Sequence, residues 1–388
     1  MRPRPARCLR QLPLATLALW AFALSSMCHR GDRVHRTFEG AVEVVQNHVD
    51  PYRLEGQPSS FSLEKVLSID LERDDIAETG MGSAGEWDAD DQGNIYVVCF
   101  KNKENFIYRF DPAGGLTTSF GRRGQGPGEL QWPFLGGVSD KNEISLVDYG
   151  QKFVVYDTKG RLLREVKLKR HALHIDALSN GKFLTFGSRP ELFSARTYVD
   201  ALVLCGSNFE EIKILDRYEN AIDNSRQVPC FMWRVSGDRI FVVNQARGYE
   251  IWVFDLEGNL VRKIRKECRP VRVTDEIKDA ILGPEERRAG IPQDKYFPDP
   301  LPPLNQFFAD DEGRIFVMTY EPGPNPGEYL WDIFNPEGVF VGRKALNIVW
   351  ATLYLGPRYT FVRKGLLYCH KEKESGFQEL VVSRMIWK

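Results

Sequence analysis

Acidic residues with calcium-ligand spacing stand in DADDQGNI at 88–95, where Asp88, Asp90, Gln92, Gly93 and Ile95 occupy EF-hand offsets. A calcium loop of that class also needs a bidentate Glu at its twelfth position, and this chain has Cys99 there. A related stretch, DDEGRI, recurs at 310–315, so the sequence favours a repeated structural turn over a metal loop. GRRGQGPGE at 121–129 is rich in glycine like a phosphate cradle, and Arg122 and Arg123 could hold an anion. A P-loop requires G-K-[ST] opening a helix, whereas Glu129 and then Trp132-Pro133 follow here, so a solvated loop is expected.

His171 and His174 stand three apart in KRHALHID, just before an expected strand. Two imidazoles alone do not make a zinc site, so no metal is assigned to them. Neither H-E-x-x-H nor G-x-S-x-G is present, and no catalytic residue can be named. No cofactor is expected, and a divalent metal held by dispersed residues stays open.

The 388 residues carry 52 basic and 53 acidic side chains, a net charge of −1, so no overall field attracts nucleic acid. Hydrophobic residues at 43% and charged residues at 27% describe a globular chain able to bury a large core. Cys8 and Cys28 are N-terminal, leaving Cys99, Cys205, Cys230, Cys268 and Cys369 in the body without a C-x-x-C pair. Isolated thiols are the simplest reading, with one disulfide, such as Cys230 to Cys268, left open.

Arg2, Arg4, Arg7 and Arg10 precede the apolar run LPLATLALWAFALSSM at 12–27, the pattern of a secretory signal. The run is shorter than the roughly 20 residues needed to span a bilayer. LSSMC at 24–28 resembles a bacterial lipobox with Met27 where a small residue is usual, which makes Cys28 a candidate lipidation site and membrane anchor. Ordinary cleavage after Ser25 is the alternative. Residues 1–27 are read as the signal and 28–59 as a tether.

Beyond residue 60 the chain repeats. FDPAG (110–114), YDTKG (156–160), FDLEG (254–258) and FNPEG (334–338) each join two stretches of alternating apolar residues, as a hairpin turn does. A polar turn followed by a strand recurs upstream, aligned at Gly93, Asn142, Gly181, Asp238, Gly313 and Gly365. Six copies imply six blades, since propeller repeats run roughly 40–50 residues with four strands each. The fold class is therefore all-β: a six-bladed propeller of four-stranded antiparallel blades spanning 60–388. FSLEKVLSIDLE (61–72) and LVVSRMIWK (380–388) are expected side by side in a closing blade.

The longest interval, between Asp238 and Gly313, implies an insertion at 266–304. Thr274 can cap a short helix presenting Ile277, Ala280 and Ile281 on one face, with Gly283-Pro284 as its stop. The proline-rich 291–304 reads as a packed extended loop.

FGRRGQGPGELQWP (120–133) with GGVSDKNEISLVDYGQKFVVYDTKG (136–160) resembles an NHL repeat. The third copy departs from it, with NFEEIKILD (208–216) in place of the final turn, and the fifth has Asn335 for Asp. The whole is similar to bacterial six-bladed propellers with NHL-like blades. Such a fold places function at one channel mouth, where the loops after each second strand would gather Asp148, Arg189, Asn244, Arg247, Thr319, Tyr320 and Lys371. The resemblance implies that Asp148 and Asn244 brace their own loops. These polar residues of mixed sign suit a small polar ligand or a protein partner, and a non-enzymatic envelope binding role is expected. The competing expectation is a lactonase-like metal-dependent hydrolase or lyase with catalytic residues spread over several blades.

Overall fold

The computed structural model describes residues 34–81, 84–100, 104–194, 197–221, 231–281, 297–348, 359–373 and 378–388. The chain opens with β1 (His35–Glu39), β2 (Val42–Asn47) and β3 (Phe61–Asp70), then a one-turn helix α1 (Asp74–Ala77). Blade 1 holds β4 (Trp87–Ala89), β5 (Ile95–Val98), β6 (Asn105–Phe110) and β7 (Leu116–Arg122). Blade 2 holds β8 (Pro133–Val138), β9 (Glu143–Asp148), β10 (Lys152–Asp157) and β11 (Leu162–Lys167). Blade 3 is β12 (His174–Ala177), β13 (Phe183–Ser188), β14 (Thr197–Cys205) and β15 (Glu211–Ala221). Blade 4 is β16 (Phe231–Ser236), β17 (Arg239–Asn244), β18 (Glu250–Asp255) and β19 (Leu260–Lys266).

After helix α2 (Asp275–Ile281), blade 5 follows as β20 (Gln306–Ala309), β21 (Ile315–Pro322), β22 (Tyr329–Phe334) and β23 (Phe340–Leu346). Blade 6 takes β24 (Thr360–Arg363), β25 (Leu366–Glu372) and β26 (Gln378–Trp387) from the end of the chain and β3 from its beginning. The expected closure is therefore present: β26 and β3 run antiparallel from Trp387↔Phe61 to Glu379↔Asp70. Each blade is an antiparallel meander, and the first strands of successive blades approach one another around the axis.

No blade can bury both of its faces alone, and the apolar residues accordingly form six clusters, one between each pair of neighbouring blades. Trp87, Tyr96, Phe153, Phe307, Phe316 and Trp331 are among the large side chains fully buried there.

The two recurring turns have a physical cause. In the hairpin between third and fourth strands, Oδ1 of Asp111, Asp157 and Asp255 each accepts two backbone N–H bonds of its own turn, and Asn335 Oδ1 accepts one from Val339. The Gly ending each motif has φ near +80°. A Cβ there would also press on the preceding blade, on Leu67 from Gly114, Phe120 from Gly160, Leu215 from Gly258 and Ile264 from Gly338. In blade 3, which lacks the motif, Phe209 adopts the positive φ instead and packs its ring 5.1 Å from Phe153 and 4.4 Å from Phe183. At the turn between first and second strands of blade 4, the positive-φ residue is Gly237, one position before the aligned Asp238.

The tether expected over 28–59 is corrected for its described part. β2 pairs in parallel with β19, and β1 pairs with β2, so blade 4 has six strands. Val44 and Val45 are buried, and the buried Asn47 ties two blades together. Its Nδ2 donates to the carbonyls of Arg265 and Gly338, each at 3.0 Å, and its Oδ1 accepts from the Phe340 N–H at 2.8 Å. Alternation in VEVVQN was too short to mark this pairing in advance. The signal segment and Cys28 lie outside the described residues.

In the insertion, Thr274 Oγ1 caps α2 by accepting from the Ile277 N–H at 3.3 Å. Ile277, Phe297 and Leu301 are buried against the cluster between blades 5 and 6; of the proline-rich 291–304, residues 291–296 lie outside the described residues. Gly283-Pro284 and Cys230 lie outside the described residues.

Candidate functional site

Antiparallel order puts the loops after second and fourth strands on one face of the propeller and the tight turns on the other. On the loop face, Glu86, Phe134, His174, Trp233 and Tyr359 stand at or near the starts of the inner strands of five blades, Glu86 and Trp233 among them buried. Nδ1 of His174 lies 3.5 Å from Oε1 of Glu86. The other Glu86 oxygen accepts from the Leu135 N–H at 2.7 Å, so the carboxylate is fixed against the inner edge of blade 2. The His174 ring meets Phe134 at 5.1 Å and Trp233 at 5.8 Å, and Trp233 Nε1 donates to Asp176 at 2.8 Å.

Aromatic surface continues outward from this pair. Phe134 lies 6.1 Å from Phe100, which stacks on the half-exposed Trp132 at 5.1 Å, and Trp233 packs on Phe186 and Phe231. Phe100, Phe134, His174, Phe186 and Phe231 are each only partly buried. On the far side, burial and the Glu86 charge raise the Tyr359 hydroxyl above its ordinary range. The buried His370 ring lies 5.0 Å from Tyr359 and 5.2 Å from Trp87, and burial pushes its imidazole down to about 3. Glu86 is buried, its side chain 3% exposed against 13% for His174, so the imidazole edge and the partly exposed rings beside it are what a ligand can reach, with the carboxylate set behind them.

Most of the residues anticipated for the mouth bond their own surroundings. Asp148 accepts from the Gln131 and Trp132 N–H groups at 2.8 and 2.7 Å, holding the Gly-rich loop. Asn244 accepts from Ala246 N and donates to Arg217 O, each at 3.1 Å. Arg189 forms a fork with Glu211, and Arg247 pairs with Asp216 at 2.7 Å over the Trp252 ring. Thr319 Oγ1 donates to the Leu330 carbonyl at 2.9 Å, and Tyr320 is fully buried, its hydroxyl 3.2 Å from Asn305 Nδ2. Burial excludes Tyr320 from direct contact with a ligand, since an aromatic at a second-strand end faces the neighbouring blade. Lys371 is exposed.

Two recesses adjoin these residues. One of about 740 Å³ is bordered by Leu192, Tyr218, Asn244, Gln245 and the insertion prolines Pro298, Pro300 and Pro302. The other, of about 260 Å³, is bordered by Arg170, His171, Arg189, Cys205 and Glu211. His171 thus faces a peripheral recess while His174 turns to Glu86.

The remaining motif residues are committed to turns and to contacts with neighbouring strands. Asp88 accepts from Val138 N at 2.9 Å, and Asp90 accepts from Gln92 N, Asn94 N, Asn94 Nδ2 and Tyr96 OH. Arg122 pairs with Glu129, which also accepts from Gly126 N, and Arg123 lies over the Phe106 ring at 4.5 Å. Among the described residues no three His, Cys, Asp or Glu side chains are grouped to hold a metal ion. Glu86 escaped sequence reasoning because its partners are contributed by blades distant in the chain, and no local spacing records them.

Residues 69–224 match the model of a family described as 6-bladed beta-propeller. No curated protein matches the sequence. Among solved structures, a candidate exported protein from Bacteroides fragilis is 15% identical, with 89% of this chain and 100% of that chain covered and a TM-score of 0.48. A DUF4221-family protein from Bacteroides vulgatus is 13% identical, with 86% and 99% covered and a TM-score of 0.51. BamB from Moraxella catarrhalis is 10% identical, with 83% and 98% covered and a TM-score of 0.34. At these identities the likeness concerns the fold.

Proposed function

We propose that this six-bladed propeller is an exported, non-catalytic binding protein that holds a small polar ligand at the channel mouth. The observation that carries the reading is the partly exposed His174 of blade 3, backed by the buried Glu86 of blade 1 and bordered by the partly exposed Phe134 and the buried Trp233. A site built on the inner strands of a rigid ring is preorganised, so little ordering cost opposes binding. The competing metal-dependent hydrolase or lyase needs at least three protein ligands together, and among the described residues no three His, Cys, Asp or Glu side chains are so grouped.

Export and the NHL-like character of the blades rest on the Arg-led apolar N-terminus and on the 120–160 repeat. Cys28 is the residue that would carry a lipid anchor. Labelling cells with a fatty-acid analogue checks it: label on the wild type that Cys28→Ala abolishes supports the anchor, and an unlabelled wild type removes it.

A thermal-shift screen of amines, amino acids, sugars and short peptides tests the binding role. A ligand in 100-fold excess over its Kd adds about 2.7 kcal/mol of stability. Esters and lactones are assayed in parallel with and without chelator. Turnover that chelator abolishes would overturn the non-catalytic reading.

A further inference from the structure

We propose that β1 is a self-association strand, pairing antiparallel with β1 of a second copy about a twofold axis through Thr37. Among the described residues β1 bonds only to β2 and is the outer strand of the six-stranded blade 4. The other blades have four strands, so β1 stands two strands farther out, about 10 Å at the usual strand spacing. All five β1 residues are exposed, and Phe38, at 71%, lies in water on a strand that buries nothing beneath it.

The sequence HRTFE is self-complementary in that register. Thr37 faces Thr37 of the second copy, His35 faces its Glu39, and Arg36 faces its Phe38. The pairs are a Thr–Thr contact, a hydrogen-bonding acid and imidazole, and a cation over an aromatic ring, each favourable across strands. No like charges oppose one another. Existing ion pairs also hold the strand straight: Arg36 to Glu43, and Glu39 to Lys263 at 2.6 Å and to Arg265 at 2.8 Å. Among the described residues no strand pairs with the outer edge of β1, which offers its N–H and C=O groups as the rest of the interface. The contact is isologous, so it closes as a dimer and does not propagate into a fibre.

Sedimentation velocity on the purified full chain at about 10–100 μM tests this, since edge pairing of this size gives weak association. The expected species is a concentration-dependent dimer of the 44.5 kDa chain. Phe38→Lys sets Lys against Arg36 of the second copy and should leave a monomer with unchanged melting temperature. Register is read with Cys8, Cys28, Cys230 and Cys268 replaced by Ser: Thr37→Cys should form a disulfide-linked dimer at least 10-fold faster than His35→Cys. A wild type that stays monomeric throughout overturns the proposal. So does a dimer that survives Phe38→Lys, or one in which residues 35 and 37 cross-link equally.

Discussion

His174 of blade 3 and Glu86 of blade 1 meet at the inner edge of blade 2, with Nδ1 3.5 Å from Oε1. The pair spans blade 2, and its carboxylate is steadied by the Leu135 N–H from that blade. His174→Phe keeps the ring contacts with Phe134 and Trp233 and removes the polar half. It should weaken a ligand found in the thermal-shift screen by at least 10-fold, about 1.4 kcal/mol. Isothermal titration reads this, and an unchanged Kd would remove His174 from the site.

Asn47 is the polar staple between blades 4 and 5. Asn47→Ala leaves the Phe340 N–H and the Arg265 and Gly338 carbonyls without this partner, at a cost of about 3 kcal/mol. Urea unfolding measures it, and a loss below about 1 kcal/mol would show that water or relaxation replaces the bonds.

Two glycines with the same φ separate backbone strain from crowding. Gly160 has φ +81° and a Cβ there would fall 2.5 Å from Phe120, whereas Gly181 has φ +80° with nothing within 4 Å. Gly181→Ala should cost about 1 kcal/mol, and Gly160→Ala about 3 kcal/mol. Equal losses would mean that blade packing places no demand on the motif glycine.

These turns also explain how much of the fold was legible. The aromatic-Asp-x-x-Gly motif records local bonding at Asp111, Asp157 and Asp255 together with contact on the neighbouring blade, so it repeats wherever blades repeat. Strand closure was readable because β3 and β26 both alternate. The β1–β2 hairpin was not, since its reason lies in Asn47 reaching backbone atoms more than 200 residues away. The mouth was legible only as a face. Second-strand ends such as Asp148 and Asn244 bond their surroundings, while the inner-strand starts that converge are ordinary residues in local sequence.

Burial holds His370 neutral, with its pKa pushed down to about 3 against about 6.5 in an unfolded chain. The native state then binds fewer protons than the unfolded state. The His370 contribution is therefore complete above pH 6.5 and is lost progressively as pH falls toward 3. Relative to His370→Leu, the wild type should lose roughly 2 kcal/mol between pH 7 and pH 5. Urea midpoints at the two pH values give the difference, and parallel behaviour of the two proteins would mean that the imidazole is protonated in the fold.

The channel-mouth site is tested most directly by titrating the strongest ligand from the thermal-shift screen into the wild type and Glu86→Gln by calorimetry. The substitution keeps an acceptor for the Leu135 N–H and removes the charge that faces His174. The expected result is saturable one-to-one binding to the wild type, weakened at least 10-fold in a Glu86→Gln protein of unchanged melting temperature. Equal affinity in the two proteins, or a screen in which no ligand stabilises the wild type, would contradict a binding site at this mouth.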